Sequence, residues 1–349
     1  MVQQTSEDAS EATGLAVRLS NIVGSSWMAQ AIYVAAKLNI ADLLNDGPKT
    51  VEELAGATST HAPSLHRLLR ALASIGICNE LNGTSFELAP MGSLLRSATE
   101  ESLRSWTLYL GGYQWLMWGH LLESVKTGES ARKLLTGNKD FEHLERDPTI
   151  AGIFNQSMVE LTRLVSQDVV RAYDFSGMSR IIDVGGGYGQ LLSAVLRATP
   201  GATGVLFDMP HATEGAKRFI EGMGLADRCQ FVTGNFFESI PGPADACLLK
   251  SIIHDWDDGR SQVILKNCRQ ALTEHGKLLL IERIMPERME TLAAHQVIAR
   301  SDLNMLIGPG GRERTEADFR SILGTAGFQV SRILPAGFTT NVIEAIRAE

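Results

Sequence analysis

Three residues are placed to carry acid–base chemistry: His254, Glu282 and Glu313. His254 stands in Lys250-Ser251-Ile252-Ile253-His254-Asp255-Trp256, just past the apolar run 245–249. Glu282 directly follows a second apolar run, 277–281, and Glu313 lies in the loop 310–315. In open α/β sheets, ligands sit beyond the carboxyl ends of the strands, so the first two residues belong to one working edge. An imidazole backed by carboxylates is a candidate general base, because it titrates near neutrality and a carboxylate fixes its orientation. Each residue also has a plainer reading. A single histidine is often structural, Glu282 could be a solvated strand end, and Glu313 a surface charge. Asp255, Asp257 and Asp258 invite a metal reading, but their place before an amphipathic run predicts helix capping and dipole compensation instead. No metal is expected.

A second constellation suits a nucleotide-like ligand. Asp183-Val184-Gly185-Gly186-Gly187-Tyr188-Gly189 lies between a strand pattern and a helix pattern. Its glycines permit a sharp turn and close approach of a ligand to the backbone. Residues 185, 187 and 189 make GxGxG, and position 190 is Gln, so the third glycine is misplaced for the dinucleotide fingerprint. Asp208 ends the next strand, where a carboxylate can accept both ribose hydroxyls of an adenosine. The competing reading is a helix cap. Gly234-Asn235-Phe236-Phe237 ends a third strand, where Phe236 can cover an adenine face and Asn235 can hydrogen-bond to it, unless this is an ordinary turn with two core aromatics.

The elements that position these residues fall into two regimes. From about 178 onward, short apolar runs alternate with amphipathic helices, the pattern of an α/β, Rossmann-like parallel sheet covered on both faces. Up to about 175 the chain reads as successive helices with one short strand-like interruption. Thr50 and Glu53 form a capping box. Leu65, Leu68, Leu69, Leu72 and Ile75 share a helix face, Gly76 stops it, and Asn82-Gly83 marks a hairpin. Two helices then a hairpin is the order of a winged helix. Residues 41–100 carry four basic and seven acidic side chains, so DNA recognition is disfavoured and a packing or dimerisation module is expected. The expected divisions are a disordered tail at 1–13, a winged-helix-like domain at 14–105, a helical linker at 106–177 and a catalytic domain at 178–349.

Bulk properties narrow the class. A chain of 349 residues suits two domains, and a net charge of -8 offers phosphate backbones no attraction. Cys78, Cys229, Cys247 and Cys268 form no CxxC pair and read as reduced thiols of a cytoplasmic protein. No apolar run is long enough to span a membrane, and no apolar leader core is visible. Neither nucleic acid nor membrane is expected as a partner.

Five motifs taken together resemble the small-molecule O-methyltransferases of the plant caffeate and bacterial polyketide or phenazine type: DVGGGYG (183–189), FDMP (207–210), LKSIIHDWDD (249–258), IERIMPE (281–287) and GGRERT (310–315). The resemblance runs from about residue 14 to the end. It implies S-adenosyl-L-methionine as methyl donor, held by Asp183, Gly185, Gly187, Asp208, Met209, Gly234, Asn235, Phe236 and Lys250. Asn235 departs from the family's usual Asp and cannot supply a full negative charge. His254 then matches the general base, with Glu282 and Glu313 holding it. Trp115, Phe154, Asn155, Met158, Asp255 and Met305 are the expected substrate contacts, although Met and aromatic residues at helical spacing often belong simply to a core. The N-terminal domain is implied to form an intertwined homodimer and to contribute pocket wall. The implied activity is methylation of a phenolic hydroxyl on a small polycyclic aromatic secondary metabolite. An N- or C-methyltransferase of the same fold, a non-catalytic cofactor-binding regulator and a nicotinamide oxidoreductase are the alternatives.

Overall fold

The computed structural model describes residues 2–137 and 141–348 and divides into two compact units, Met1–Tyr113 and Gln114–Glu349. The first unit begins with helix α1 (Val2–Lys37), so its backbone is helical where a disordered tail was expected. Two helices follow, α2 (Val51–Thr58) and α3 (Ala62–Ser74). The capping box at Thr50 is present, with Glu53 N–H on the Thr50 hydroxyl and the Thr50 N–H on the Glu53 carboxylate.

Lys49–Thr50 (β1), Cys78–Glu80 (β2) and Ser85–Leu88 (β3) form a small antiparallel sheet in the order β1-β3-β2. Asn82 Oδ1 accepts the N–H groups of Thr84 and Ser85 and closes the β2–β3 turn. Leu65, Leu69 and Leu72 of α3 pack with Leu54, Ile77 and Phe86, so the winged-helix core follows from the periodicity. The expected boundary near 105 falls short of the observed division because residues 104–113 pack within the first unit: Tyr33 lies against Gly111, and Gln30 donates to the Gly111 carbonyl.

In the second unit, the long helix α4 (Pro148–Ala172) leads into β4 (Arg180–Val184), α5 (Gln190–Ala198), β5 (Thr203–Asp208), α6 (Pro210–Gly222) and β6 (Cys229–Thr233). Then come β7 (Ala244–Lys250), α7 (Asp258–Ala271), β8 (Leu272–Met285), α8 (Ala293–Ile307), β9 (Arg314–Thr315), α9 (Glu316–Thr325), β10 (Phe328–Pro335) and β11 (Thr340–Arg347). The main sheet runs β10-β11-β8-β7-β4-β5-β6. β4 to β8 are mutually parallel, and β11 is antiparallel to both neighbours.

The strand sequences explain the burial. Ile182, Val184, Cys247 and Leu249 point into one core, and Ile181, Ala246, Leu248 and Leu279 into the other. Strands buried on both faces therefore read as continuous apolar runs rather than alternating ones. All four cysteines are buried free thiols. Among the described residues, no helix is long and apolar enough to cross a membrane.

Candidate active site

The order β5-β4-β7 reverses direction of growth at β4, and ligand crevices in such sheets open beyond the carboxyl ends at that switch. There the glycine turn leaves β4. Gly185 adopts φ +69°, and a Cβ on it would lie 2.6 Å from Ile252 Cδ1 and 3.7 Å from Phe236 Cε1. The turn thus touches the segment carrying His254 and the loop after β6. One edge of the sheet brings all three together.

Asp208 ends β5 and is not the cap of α6; that position belongs to Met209. Its Oδ2 accepts Gly187 N–H at 2.7 Å, and its Oδ1 accepts Met209 N–H at 2.6 Å. Each oxygen retains a lone pair, and beside it lies a narrow crevice of about 10 Å³ lined in part by Gly187, Asp208, Thr213 and Val232. Asp183 is buried with Oδ2 lacking any hydrogen-bond partner. Burial, and then the neighbouring Asp208, push its carboxyl up to about 7. Lys250, at the end of β7, is pushed down to about 8 by burial and by Arg283, against the opposing pull of Glu282, Asp183 and Asp255. A turn whose backbone is open to close approach, a carboxylate pair with free lone pairs and a buried amine fit the hydroxyls, the ammonium and the carboxylate of an adenosyl amino acid.

After β6 and Gly234, Asn235 does not reach outward. Its Oδ1 accepts Phe237 N–H at 2.9 Å and its Nδ2 donates to Glu238 at 3.4 Å, so the side chain closes its own turn. Phe236, held through its carbonyl by Asn267 Nδ2 at 2.8 Å, is the ring that faces Gly185.

His254 lies in a single 3₁₀ turn, Ile253–Asp255, and is 6% exposed. Its Nδ1 donates to Glu313 Oε1 at 3.2 Å, since an ionised carboxylate only accepts. Glu282 Oε2 lies 3.5 Å from the same nitrogen, and Asp255 Oδ1 lies 3.6 Å from Nε2. Burial disfavours the imidazolium, but Glu282, Glu313 and Asp255 together outweigh it, and His254 is pushed up to about 9. The surrounding carboxylates thus favour the protonated ring.

The supports of this ring are specific. Glu282 is not a solvated strand end. β8 continues past it to Met285, because β11 pairs with it to Arg283 and β9 from Ile284 onward, and the carboxylate is 1% exposed. Glu282 Oε1 accepts the N–H groups of Ile252 and Ile253 at 3.1 and 2.9 Å, anchoring the turn. Glu313 is likewise no surface charge. Ser301 donates to its Oε1 at 2.5 Å, and Asp302 accepts its N–H at 2.8 Å. His254, Glu282 and Glu313 offer atoms within 4.8 Å of one another, a spacing a cation could use; Oε1 of each carboxylate accepts hydrogen bonds, and Oε2 of each is buried with no hydrogen-bond partner. Of the three neighbouring acids, only Asp257 caps α7, through Arg260 N–H. Asp258 pairs with Arg312 and Arg314, and Asp255 turns toward His254.

The expected substrate contacts divide. Phe154 lies 5.8 Å from Phe141 in a tilted pair, and Phe141 meets Trp256 edge-on at 5.9 Å, so an aromatic path leads from α4 to the histidine turn. Asn155 is buried and hydrogen-bonds His211 Nδ1 at 3.3 Å, which places it on the Asp208 side rather than beside His254. The sequence offered Asn155 as a substrate contact and gave no sign of its histidine partner. Met305 is buried and its carbonyl accepts Gly310 N–H, at the foot of the loop bearing Glu313. Met158 is half-buried in α4. Trp115 is 41% exposed, which does not mark it as a pocket wall within this unit. Sequence reasoning missed Ser301, Asp302, Phe141 and Arg314. Only Arg314 had a signal, an arginine inside the motif 310–315.

Comparison with known proteins places the chain among methyltransferases. Residues 118–329 match the O-methyltransferase domain and residues 20–97 the O-methyltransferase dimerisation domain. The chain is 40% identical to the phenazine O-methyltransferase PhzM of Lysobacter antibioticus, covering 98% of this chain and 99% of that one. It is 37% identical to an 8-amino-8-demethylriboflavin N,N-dimethyltransferase of Streptomyces davaonensis, covering 91% of each. The solved O-methyltransferase of neocarzinostatin biosynthesis, in complex with S-adenosylmethionine and 2-hydroxy-5-methyl naphthoic acid, superposes with a TM-score of 0.78 at 31% identity over 91% of this chain and 95% of that one.

Proposed function

The chain belongs to the O-methyltransferase family and is an enzyme that takes its methyl group from S-adenosylmethionine, and on that premise we propose that it methylates a hydroxyl of a small polycyclic aromatic, with His254 holding the hydroxyl proton. When bound, the cofactor supplies an electrophilic methyl group on a sulfonium. The residues that would hold it are Asp208 for the ribose, Asp183 and the glycine turn for the amino-acid part, with Lys250 beside them, and Phe236 for the adenine face.

The observation that carries the reading is the company of His254: an imidazole with Glu282 and Glu313 at Nδ1, on the same edge as the glycine turn. With Nδ1 committed to carboxylates, Nε2 is the atom left to exchange a proton with an acceptor hydroxyl. A neutral ring beside a phenol and an imidazolium beside a phenolate contain the same number of protons. The surrounding carboxylates favour the second arrangement, in which the acceptor oxygen already bears the charge needed for attack. Positioning supplies most of the acceleration, up to about 7–11 kcal/mol. The proton transfer adds about 10²–10⁴-fold.

Oxygen rather than nitrogen as acceptor is favoured by this base, because an amine nucleophile already has its lone pair available. The relatives include both O- and N-methyltransferases. The aromatic path Phe154–Phe141–Trp256 suits a flat ring system such as a hydroxyphenazine or hydroxynaphthoate. We also propose a homodimer through the N-terminal unit. Leu15, Leu19, Ile22, Val23 and Trp27 of α1 are exposed, Trp27 by 75%, an apolar stripe that a second copy would cover.

The test is His254→Ala assayed with radiolabelled S-adenosylmethionine against a panel of hydroxyphenazines, hydroxynaphthoates and aryl amines. Methyl transfer to a hydroxyl should fall by at least about 100-fold while cofactor affinity by calorimetry stays the same. Turnover close to that of the unaltered enzyme removes the base from the mechanism.

A further inference from the structure

Arg314 is fully buried, with none of its side chain exposed. A guanidinium in that position is costly unless its donors are satisfied and its charge is paired. Here they are, and the acceptors share a location. Nη1 donates to the Ile253 carbonyl at 2.6 Å and Nη2 to the Trp256 carbonyl at 2.7 Å. Nε and Nη2 both donate to Asp258 Oδ1, at 3.1 and 2.8 Å, and Nη2 also reaches Ser261 Oγ at 3.2 Å. The two carbonyls are the flanks of the 3₁₀ turn that carries His254.

The loop around Arg314 grips the same turn a second time. Arg312 N–H donates to the His254 carbonyl at 2.8 Å. A Cβ on Gly311 would lie 2.0 Å from that oxygen, so only glycine lets the loop lie this close. Between these two grips stands Glu313, whose carboxylate faces His254 Nδ1. The ring and the acid beside it are thus referenced to each other through one short loop, and the guanidinium is its rivet. Its rigid fork spans two diverging carbonyls, which a lysine ammonium cannot do.

We propose that Arg314 is a positioning residue for methyl transfer, fixing the backbone on both sides of His254 so that the imidazole keeps its register with Glu313 and Glu282. It touches no reacting atom. Its effect passes through the separation of ring and carboxylates, and a misplacement of about 1 Å there can cost about 100-fold in rate. This inference rests on the reading of His254 as the proton acceptor.

The experiment compares Arg314→Met, Arg314→Lys and Asp258→Asn, the last loosening the fork from its half-exposed end without emptying the core. Each is measured for thermal unfolding, for S-adenosylmethionine affinity by calorimetry, for methyl transfer to a hydroxyphenazine, and for the ionisation of His254 by NMR of histidine-labelled protein, the signal being assigned by its absence in His254→Gln. The expected result is cofactor affinity within about threefold of the unaltered enzyme and a rate down by about 10- to 100-fold in Arg314→Met. The His254 ionisation should move toward the ordinary histidine range as the carboxylates lose their register, with Arg314→Lys intermediate. If Arg314→Met does not fold, the other two variants decide. An unshifted His254 ionisation and unaltered rate in folded variants, or a loss that follows only the unfolded fraction, overturns the proposal. Retained turnover in His254→Ala would instead sink the proton-acceptor reading, while the NMR titration would still report whether Arg314 holds the ring.

Discussion

Replacing Glu282 by Gln should move the pH dependence of catalysis downward, and the distance allows the shift to be bracketed. The substitution keeps the shape and leaves an amide oxygen to accept the Ile252 and Ile253 N–H groups that Glu282 Oε1 now holds. What it removes is one negative charge 3.5 Å from His254 Nδ1. Coulomb's law puts that attraction at about 1.2 kcal/mol with the dielectric of water and about 4.7 kcal/mol with an effective dielectric near 20. At about 1.36 kcal/mol per pH unit, the bracket for the lost attraction is about 1 to 3.5 units, out of the elevation that takes the imidazolium to about 9.

The sign follows from the role. A group that must accept a proton is inactive below its own ionisation, so activity falls as pH drops, and a less basic ring shifts that fall to lower pH. The assay is kcat/KM for transfer from radiolabelled S-adenosylmethionine between pH 5.5 and 10. The acceptor should be a phenol whose own ionisation lies near 10, so that its titration stays above that of the ring. An acid limb that stays where it is in Glu282→Gln, in a protein that still folds and binds cofactor, would refute the claim that these carboxylates hold the proton on His254.

Three further outcomes are expected. Asp208→Ala removes the proposed ribose acceptor and also orphans Gly187 N–H, and calorimetry should show cofactor affinity reduced by about 100-fold, as two charge-assisted hydrogen bonds are lost. Gly185→Ala demands a side chain at φ +69° and within 2.6 Å of Ile252 Cδ1, so it should cost about 1–3 kcal/mol of stability in thermal or urea unfolding and weaken cofactor binding with it. At the far side of the sheet, burial would raise the Glu344 carboxyl, but hydrogen bonds from Ser331, Tyr173, Arg332 and Lys277 take it down to about 2. A depressed carboxylate stabilises the fold above its unfolded pKa of about 4.5 and loses that contribution as pH falls through 2. Glu344→Gln should therefore be less stable at pH 7, with the gap to the unaltered protein closing below pH 4.5.

The pieces of the site were readable one at a time. Apolar runs bounded by glycine or acidic residues located β4, β5 and β7, because strands buried on both faces have no polar alternation to hide them. The glycine turn and the carboxylate after β5 followed from what a strand–turn–helix leaves free at its end. Capping at Thr50 was local chemistry and survived folding unchanged.

What a residue does once placed was a different matter. On paper Asn235 was an adenine contact and Asp255 a helix-charging acid or a substrate contact. The folded chain turns one back on its own loop and aims the other at His254 Nε2. Glu282 belonged to the edge of a strand until β11 and β9 extended that strand past it and buried the carboxylate.

Sequence alone determined which side chains reach the working edge of the sheet, since the apolar runs that mark the strands depend only on near neighbours. Tertiary structure decided their ionisation and their partners. His254 meets a carboxylate from a residue 59 positions away at 3.2 Å. The interaction that sets its charge falls off over ångströms, a distance that no spacing along the chain records.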